Sequence, residues 1–274
     1  MWDPAVYGRF GTERSRPFDD LVARIGATDP RAVVDLGCGP GDLTATLTAR
    51  WPGARVTGWD SSPEMIGKAR ELGSAVEFRI GDVRGWRPAP DVDVVVSNAV
   101  LQWVPGHATL LADWARSLPP GAWLAVQVPG NFDAPSHRAL RAVAATPRFA
   151  PLVGHLTREA PVDDATGYAD LLTGVGCAVD AWETTYVHLL PDTTATAGPS
   201  GAAAGHPVLR WMEGTALRPV RAALDDAGWR DFRAELGDKL ADADPVRHSQ
   251  VFFPFRRIFV VARTGDGDAD DNHR

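Results

Sequence analysis

Three aspartates and three glycines offer the first recognisable chemistry in this sequence. Asp35 follows the apolar run Ala32-Val33-Val34, and Gly37-Cys38-Gly39-Pro40-Gly41-Asp42 comes directly after Leu36. A helical pattern starts at once, with Leu43 and Leu47 on one side. An apolar run, a glycine cluster and a helix make a strand, a tight turn and the opening of a βαβ unit. Glycines let the backbone bend sharply and approach a ligand closely. The helix behind them turns free N–H groups toward whatever polar group sits there. A nucleotide-like ligand is expected on this loop. Its spacing is Gly37-x-Gly39-x-Gly41, and Asp42 stands where a dinucleotide loop has the third glycine beside a pyrophosphate. A carboxylate at Asp35 suits a cationic amino-acid group better than a pyrophosphate.

The same kind of residue recurs at later strand ends. A second strand over 54–59 ends at Asp60, about 20 residues beyond the glycines, the position from which an acid hydrogen-bonds a ribose diol. Ser61 and Ser62 are candidate caps for a helix that Pro63 starts. Met65 then lies on its first turn, as an adenine contact or as plain packing. A third strand over 76–80 ends in Gly81-Asp82-Val83. The near-continuous apolar run 93–98, suited to the middle of a parallel sheet, ends at Asn98 and continues into Ala99-Val100-Leu101-Gln102-Trp103-Val104. A helix over 108–118 stops at Pro119-Pro120-Gly121, and a fifth strand over 122–128 runs into Pro129-Gly130-Asn131. Ligands in open α/β sheets bind outside the carboxyl ends of the strands. Gly37, Asp60, Asp82, Asn98 and Asn131 all fall there.

The elements that must position these residues are less regular at both ends of the chain. Residues 1–18 read as an irregular arm with Trp2, Tyr7 and Phe10, either solvated or closing as a lid that carries Arg14 and Arg16 to an anion. Two residues apart on an extended backbone, these arginines would point to the same side. An amphipathic helix over 18–25 precedes the first strand. Beyond residue 130, helices are expected over 136–145, 168–175, 208–217 and 229–240, and a proline-rich loop or cap over 146–165. Strands at 178–189 and 251–261 are expected side by side. Residues 193–207 are of low complexity and read as a surface insertion, and an acidic tail follows residue 264. His107 reads as an exposed helix-entry residue, and Arg256 and Arg257 as structural strand residues.

With 274 residues, 45% hydrophobic and 23% charged, the chain has the composition of a soluble α/β domain with an added cap. A net charge of −7 argues against nucleic acid as a partner. Two cysteines without metal-ligand spacing, no apolar span and no leader pattern point to a cytoplasmic protein that is not membrane-bound. No metal site is expected.

The stretch Asp35-Leu36-Gly37-Cys38-Gly39-Pro40-Gly41 closely resembles motif I of class I S-adenosylmethionine-dependent methyltransferases. More specifically, Glu13 to Pro17, Leu101 to Pro105, Thr184 to His188, Gly214 to Pro219 and Phe255 to Arg263 resemble the trans-aconitate 2-methyltransferase family. The likeness runs from about Trp2 to Arg263 and breaks at 193–207. It implies a Rossmann-like α/β fold: a mostly parallel seven-stranded sheet with an antiparallel last strand and a helical cap. The organisation that follows is an arm and helix over 1–30, the cofactor core over 31–145, and a cap over 146–250 that includes the 178–189 strand. A last core strand over 251–263 and a disordered tail over 264–274 complete it. The implied cofactor is S-adenosylmethionine, held by Asp35, Gly37, Cys38, Gly39, Gly41, Asp60, Ser61, Met65, Asp82, Val83 and Asn98. In the family, the acid at Asp82 meets the adenine amino group and its neighbour packs on the ring. The implied substrate is a small tricarboxylate, which needs positive and hydrogen-bonding donors. Tyr7, Arg14, Arg16, Gln102, Trp103, Asn131, His137, Tyr186, His188 and Arg218 are the candidates. A carboxylate is ionised near neutral pH, so no general base and no catalytic residue is expected. Other readings are a methyltransferase for another small acid or an acyl-carrier-protein carboxylate, and a cofactor-binding regulator without catalysis.

Overall fold

The structure is a computed structural model that describes residues 11–157, 161–192 and 205–265, with backbone alone for 11–14. Tyr7, most of the 193–207 stretch and the tail from 266 lie outside the described residues. Seven strands form one sheet: β1 (Ala32–Leu36), β2 (Arg55–Asp60), β3 (Glu77–Ile80), β4 (Val92–Asn98), β5 (Trp123–Pro129), β6 (Ala178–Pro191) and β7 (Gln250–Arg263). Their order is β3-β2-β1-β4-β5-β7-β6. The first five pair in parallel, and β7 runs antiparallel to β5, with Trp123 opposite Arg263 and Pro129 opposite Arg257. The expected mostly parallel sheet is therefore present, with β7 beside β6. Among the described residues no helix is long and apolar enough to cross a membrane.

The chain divides into two compact units. The first comprises the described residues of Met1–Pro129, Val162–Thr184 and Arg257–Arg274. Its helices are α1 (Gly11–Ala23), α2 (Asp42–Arg50), α3 (Pro63–Glu71), α4 (His107–Ser117) and, after the second unit begins, α7 (Ala165–Thr173). Leu36, Val95, Leu124, Val126, Val260, Leu111, Trp114 and Tyr168 share one hydrophobic cluster. That cluster packs α4 and α7 against one face of β1, β4, β5 and β7, while α1 packs against β4 and β5.

The arm departs from expectation. Residues 11–18 belong to α1 rather than to an irregular segment, although Pro17 sits inside the helix and contributes no N–H. Phe18, Leu21 and Val22 are buried on its inner face, and this burial outweighs the proline and the polar local sequence. The backbone at residues 14 and 16 is therefore helical and not the extended one expected, and residues two apart in a helix lie about 200° around the axis.

The second unit comprises the described residues of Gly130–Pro161 and Thr185–Arg256. It holds α5 (Pro135–Ala144), α6 (Ala150–Val153), α8 (Pro207–Glu213), α9 (Arg218–Ala223) and α10 (Asp226–Ala243). Helix α10 packs on α5 and α8, and α9 packs on α6. The expected 208–217 helix ends at Glu213, and the short α9 was not legible because Pro219 obscures a six-residue helix. Trp211, Phe253, Phe255 and His188 form an aromatic cluster with ring centroids 4.7 to 6.1 Å apart.

Candidate functional site

The glycine loop is built from three residues with positive φ that do different work. Gly37 (φ 84°) would place a Cβ 2.1 Å from Val100 Cγ2, and Gly41 (φ 87°) one 2.7 Å from Phe78 Cζ. Both are closed by packing. Gly39 (φ 57°) has no atom within 4 Å of such a Cβ, so it faces open space. The loop is tied to β2: Gly37 N and Cys38 N donate to Trp59 O at 2.7 and 2.9 Å.

Asp60 is the hinge of this site. Its Oδ2 accepts from Gly39 N at 3.0 Å and its Oδ1 from Ser62 N at 2.8 Å. One carboxylate thus fixes both the glycine loop and the start of α3. Each oxygen keeps a lone pair, enough for a diol. Ser62 caps α3 by accepting from Met65 N at 3.3 Å, while Ser61 is exposed. Met65 is only 3% exposed, so it packs in the core and offers a ligand little surface.

Asp35 is buried and accepts from Thr44 Oγ1 at 2.6 Å, which joins the end of β1 to the first turn of α2. Burial pushes its carboxyl up to about 7, against the lowering effect of the Thr44 hydrogen bond and with a further rise from Asp60. Cys38 is also buried, and burial with the nearby Asp35 and Asp60 raises its thiol.

Asp82 follows β3 and is exposed. Arg84 holds it through Nε and Nη2, and Arg84 N donates to its Oδ1 at 2.8 Å. These bonds lower its carboxyl to about 2. Val83 beside it is buried. Asn98 ends β4 half-buried, and its Oδ1 has no partner among the described residues. Ala99 follows with φ 59°, a strained conformation for a residue with a Cβ, and Gln102 Nε2 donates to its carbonyl at 2.7 Å. Gln102 is buried and its neighbour Trp103 exposed, on a short turn. The unit therefore gathers Asp35, the glycine loop, Asp60, Asp82 and Asn98 at the carboxyl ends of β1 to β4.

One expectation is overturned here. His107 is buried, not exposed. Its Nδ1–H donates to Val104 O at 3.2 Å, and Nε2 accepts from the Tyr168 hydroxyl at 2.6 Å. A carbonyl only accepts, so Nδ1 carries a proton, and in the neutral ring that leaves Nε2 as the acceptor. Burial lowers the histidine's pKa and favours that form. Helix α7 covers it, 61 residues further on, beyond the reach of any local pattern. Thr44, Arg84 and Val100 were likewise missed. Only Thr44 had a signal, one turn into the helix after Asp35.

The remaining candidates belong to other parts of the chain. Arg16 is exposed on α1. In the second unit, Asn131 is buried and accepts from Arg256 N at 2.6 Å. His137 packs edge-on to Phe132. Tyr186 and His188 alternate inward along β6, His188 stacked on Trp211 at 4.7 Å. Arg218 opens α9, half-buried. The side chain of Arg14 and all of Tyr7 lie outside the described residues. No group of three or more His, Cys, Asp or Glu among the described residues could hold a metal ion.

The comparisons with known proteins agree with this geometry. Residues 33–121 match a methyltransferase domain family model. The chain is similar in fold to phosphoethanolamine N-methyltransferase 2 of Haemonchus contortus, with a TM-score of 0.52 at 14% identity over 91% of this chain and 52% of that one. Fold and glycine loop together define a class I methyltransferase. Closer relatives narrow the class. The chain is 57% identical to trans-aconitate 2-methyltransferase of Mycolicibacterium gilvum, covering 96% of this chain and 99% of that protein. It is 56% identical to the enzyme of the same name from Mycobacterium sp. strain KMS, covering 97% and 100%. The chain belongs to the trans-aconitate 2-methyltransferase family.

Proposed function

We propose that this chain transfers a methyl group from S-adenosylmethionine to a carboxylate of trans-aconitate, giving a monomethyl ester and S-adenosylhomocysteine. The observation that carries the reading is 57% identity over nearly the whole length to an enzyme of that name. The open face at Gly39, the carboxylate of Asp60 and the unmet acceptor of Asn98 fit a ligand with an amino-acid end and a ribose diol. When bound, the cofactor supplies an electrophilic methyl on a sulfonium. Asp60 accepts from the diol. Asp82 and Val83 meet the adenine, with Arg84 sharing the carboxylate. The acceptor oxygen is already ionised, so the chain moves no proton. Its task is to hold that oxygen in line with the methyl and keep water away, and such orientation supplies on the order of 7–11 kcal/mol. Gln102, Trp103, Asn131, His137, Tyr186, His188, Arg218 and the arm residues Tyr7, Arg14 and Arg16 are the candidate substrate contacts. The partner is a small acid, not nucleic acid. The setting is the cytoplasm, where Cys38 and Cys177 stay free thiols.

The test is turnover of labelled cofactor with a panel of di- and tricarboxylic acids and an acyl-carrier protein. Preferred methylation of trans-aconitate is expected. Methylation of the carrier protein alone, or cofactor binding with turnover of no acid, would overturn the reading.

A further inference from the structure

Two residues with left-handed backbone bound the loop that leaves β4. Ala99 has φ 59° and Gly106 φ 73°, and the short turn Leu101–Trp103 lies between them. A residue with a Cβ keeps such a φ only where its surroundings over-determine it. At the β4 end they do. Ala99 N donates to Gln127 O at 2.9 Å, and the Gln102 amide donates to Ala99 O at 2.7 Å. Val100 fills the space beside Gly37, so this end also backs the glycine loop. Asn98, Gln102 and Trp103, three of the candidate contacts for cofactor and acceptor, lie on this stretch.

The far end is held from outside. Val104 O accepts from His107 N at 3.2 Å and from His107 Nδ1 at 3.2 Å. The first bond closes a turn and moves with the loop. The second leads out of it, because His107 Nε2 accepts from the Tyr168 hydroxyl on α7 at 2.6 Å. Burial raises the Tyr168 phenol, and a backbone hydrogen bond from Asp163 pulls it back down. A bond that favours the phenolate is donated to the oxygen. The hydroxyl is therefore oriented, accepting from Asp163 and donating to His107. The tautomer of a histidine is set by the bond its other nitrogen makes. Tyr168 thereby keeps the His107 proton on Nδ1, facing Val104 O. All of these residues lie in the first unit.

Stability alone does not account for the pair. Both side chains are buried, Tyr168 in the cluster with Leu111 and Leu172. Exchanging both members of a buried polar pair for apolar groups of the same shape is nearly neutral. What the pair adds is direction, since one geometry satisfies it and others leave a buried polar atom unmet.

We propose that His107 and Tyr168 are positioning residues that lock the loop from Ala99 to Gly106 and so hold Gln102 and Trp103 in place for the acceptor. The pair acts through Val104 and not by touching the acid. It rests on the methyltransferase reading above for what the loop contacts, but not for the lock itself. His107, which the sequence placed in solvent, becomes part of the frame of the loop.

The double variant His107→Phe/Tyr168→Phe removes both polar groups together, and the new ring takes the space of the lost hydroxyl. Expected are an unchanged urea midpoint and unchanged affinity for S-adenosylhomocysteine. Amide hydrogen exchange over 99–106 should speed up by about tenfold or more, with the rest of the chain as in the wild type. In turnover of trans-aconitate kcat should fall about tenfold to a hundredfold while KM shifts less, the effect of a misplacement of about 1 Å. His107→Asn/Tyr168→Phe keeps an amide donor near the Nδ1 position and should show smaller changes in both. Losses of midpoint, cofactor affinity and kcat together would make the pair merely structural and overturn the proposal. Wild-type exchange over 99–106 overturns the lock whatever the kinetics, and faster exchange with unchanged kcat overturns its role. Should the double variant fail to fold, Tyr168→Phe alone gives the exchange and kcat results. Nitrogen NMR of its His107 ring should then show the proton shared between Nδ1 and Nε2. If the wild type methylates no free acid, the functional reading fails on its own, and exchange over 99–106 still decides the lock.

Discussion

Replacing Gly37 or Gly39 by alanine separates two kinds of loss inside one loop. At Gly37 the new Cβ lies 2.1 Å from Val100 Cγ2 and 2.9 Å from Cγ1, and φ is 84°. The left-handed backbone costs an L-residue about 1–2 kcal/mol, and overpacking adds about 1–3 kcal/mol. Gly37→Ala should therefore destabilise the fold by about 2–5 kcal/mol, read by urea denaturation. Val100→Ala removes the clashing methyls and leaves φ as it was. The double variant should recover the overpacking share, a coupling of about 1–3 kcal/mol in a double-mutant cycle. Gly39 has a φ of 57° with open space around the added methyl. Gly39→Ala should cost only the backbone share in stability, yet weaken S-adenosylhomocysteine strongly, because the methyl occupies the ligand's side of the loop. A coupling near zero between positions 37 and 100 would refute the steric account. So would a Gly39→Ala protein with wild-type affinity.

Asp60→Ala removes the acceptor for Gly39 N and Ser62 N, and affinity for S-adenosylhomocysteine should fall by a few kcal/mol in calorimetry. Asp35 has a folded pKa of about 7 against an ordinary 3.8. The folded chain therefore binds more protons between these values, and stability falls as pH rises from about 4 to about 7. Asp35→Asn should flatten that part of the profile in urea titrations at several pH values, and an unchanged slope would sink the assignment. Tyr168→Phe leaves His107 Nε2 buried without its donor and should cost about 1–3 kcal/mol, measured by the same denaturation.

What the sequence reveals is what neighbours decide. The five parallel strands and the acids and amides at their ends were legible because each is a β-branched or apolar run closed within a few residues by glycine, aspartate or asparagine. Helix α1 was only half legible. Pro17 and a polar start argue against a helix, and the apolar surface of β4 and β5 that overrides them comes from far along the chain. The burial of His107 depends on Tyr168 and that of Arg257 on β5, and neither partner is near in sequence. Arg84 lies two residues from Asp82, but nothing in the string indicates that it turns back on its neighbour.

In the proposed reaction, Cys38 sits inside the loop that meets a methylating sulfonium, and close to an unsaturated acid. Both are electrophiles, and a thiolate is the side-chain form that attacks them fastest. The thiol here is buried, donates toward Gly39 O at 3.7 Å, and is held protonated by burial and by two aspartates. Burial first, and the nearby acids Asp35 and Asp60 second, therefore also protect the cradle. Together they suppress self-alkylation, so in the proposed reaction the loop can carry a sulfur atom beside its own reagents through many turnovers.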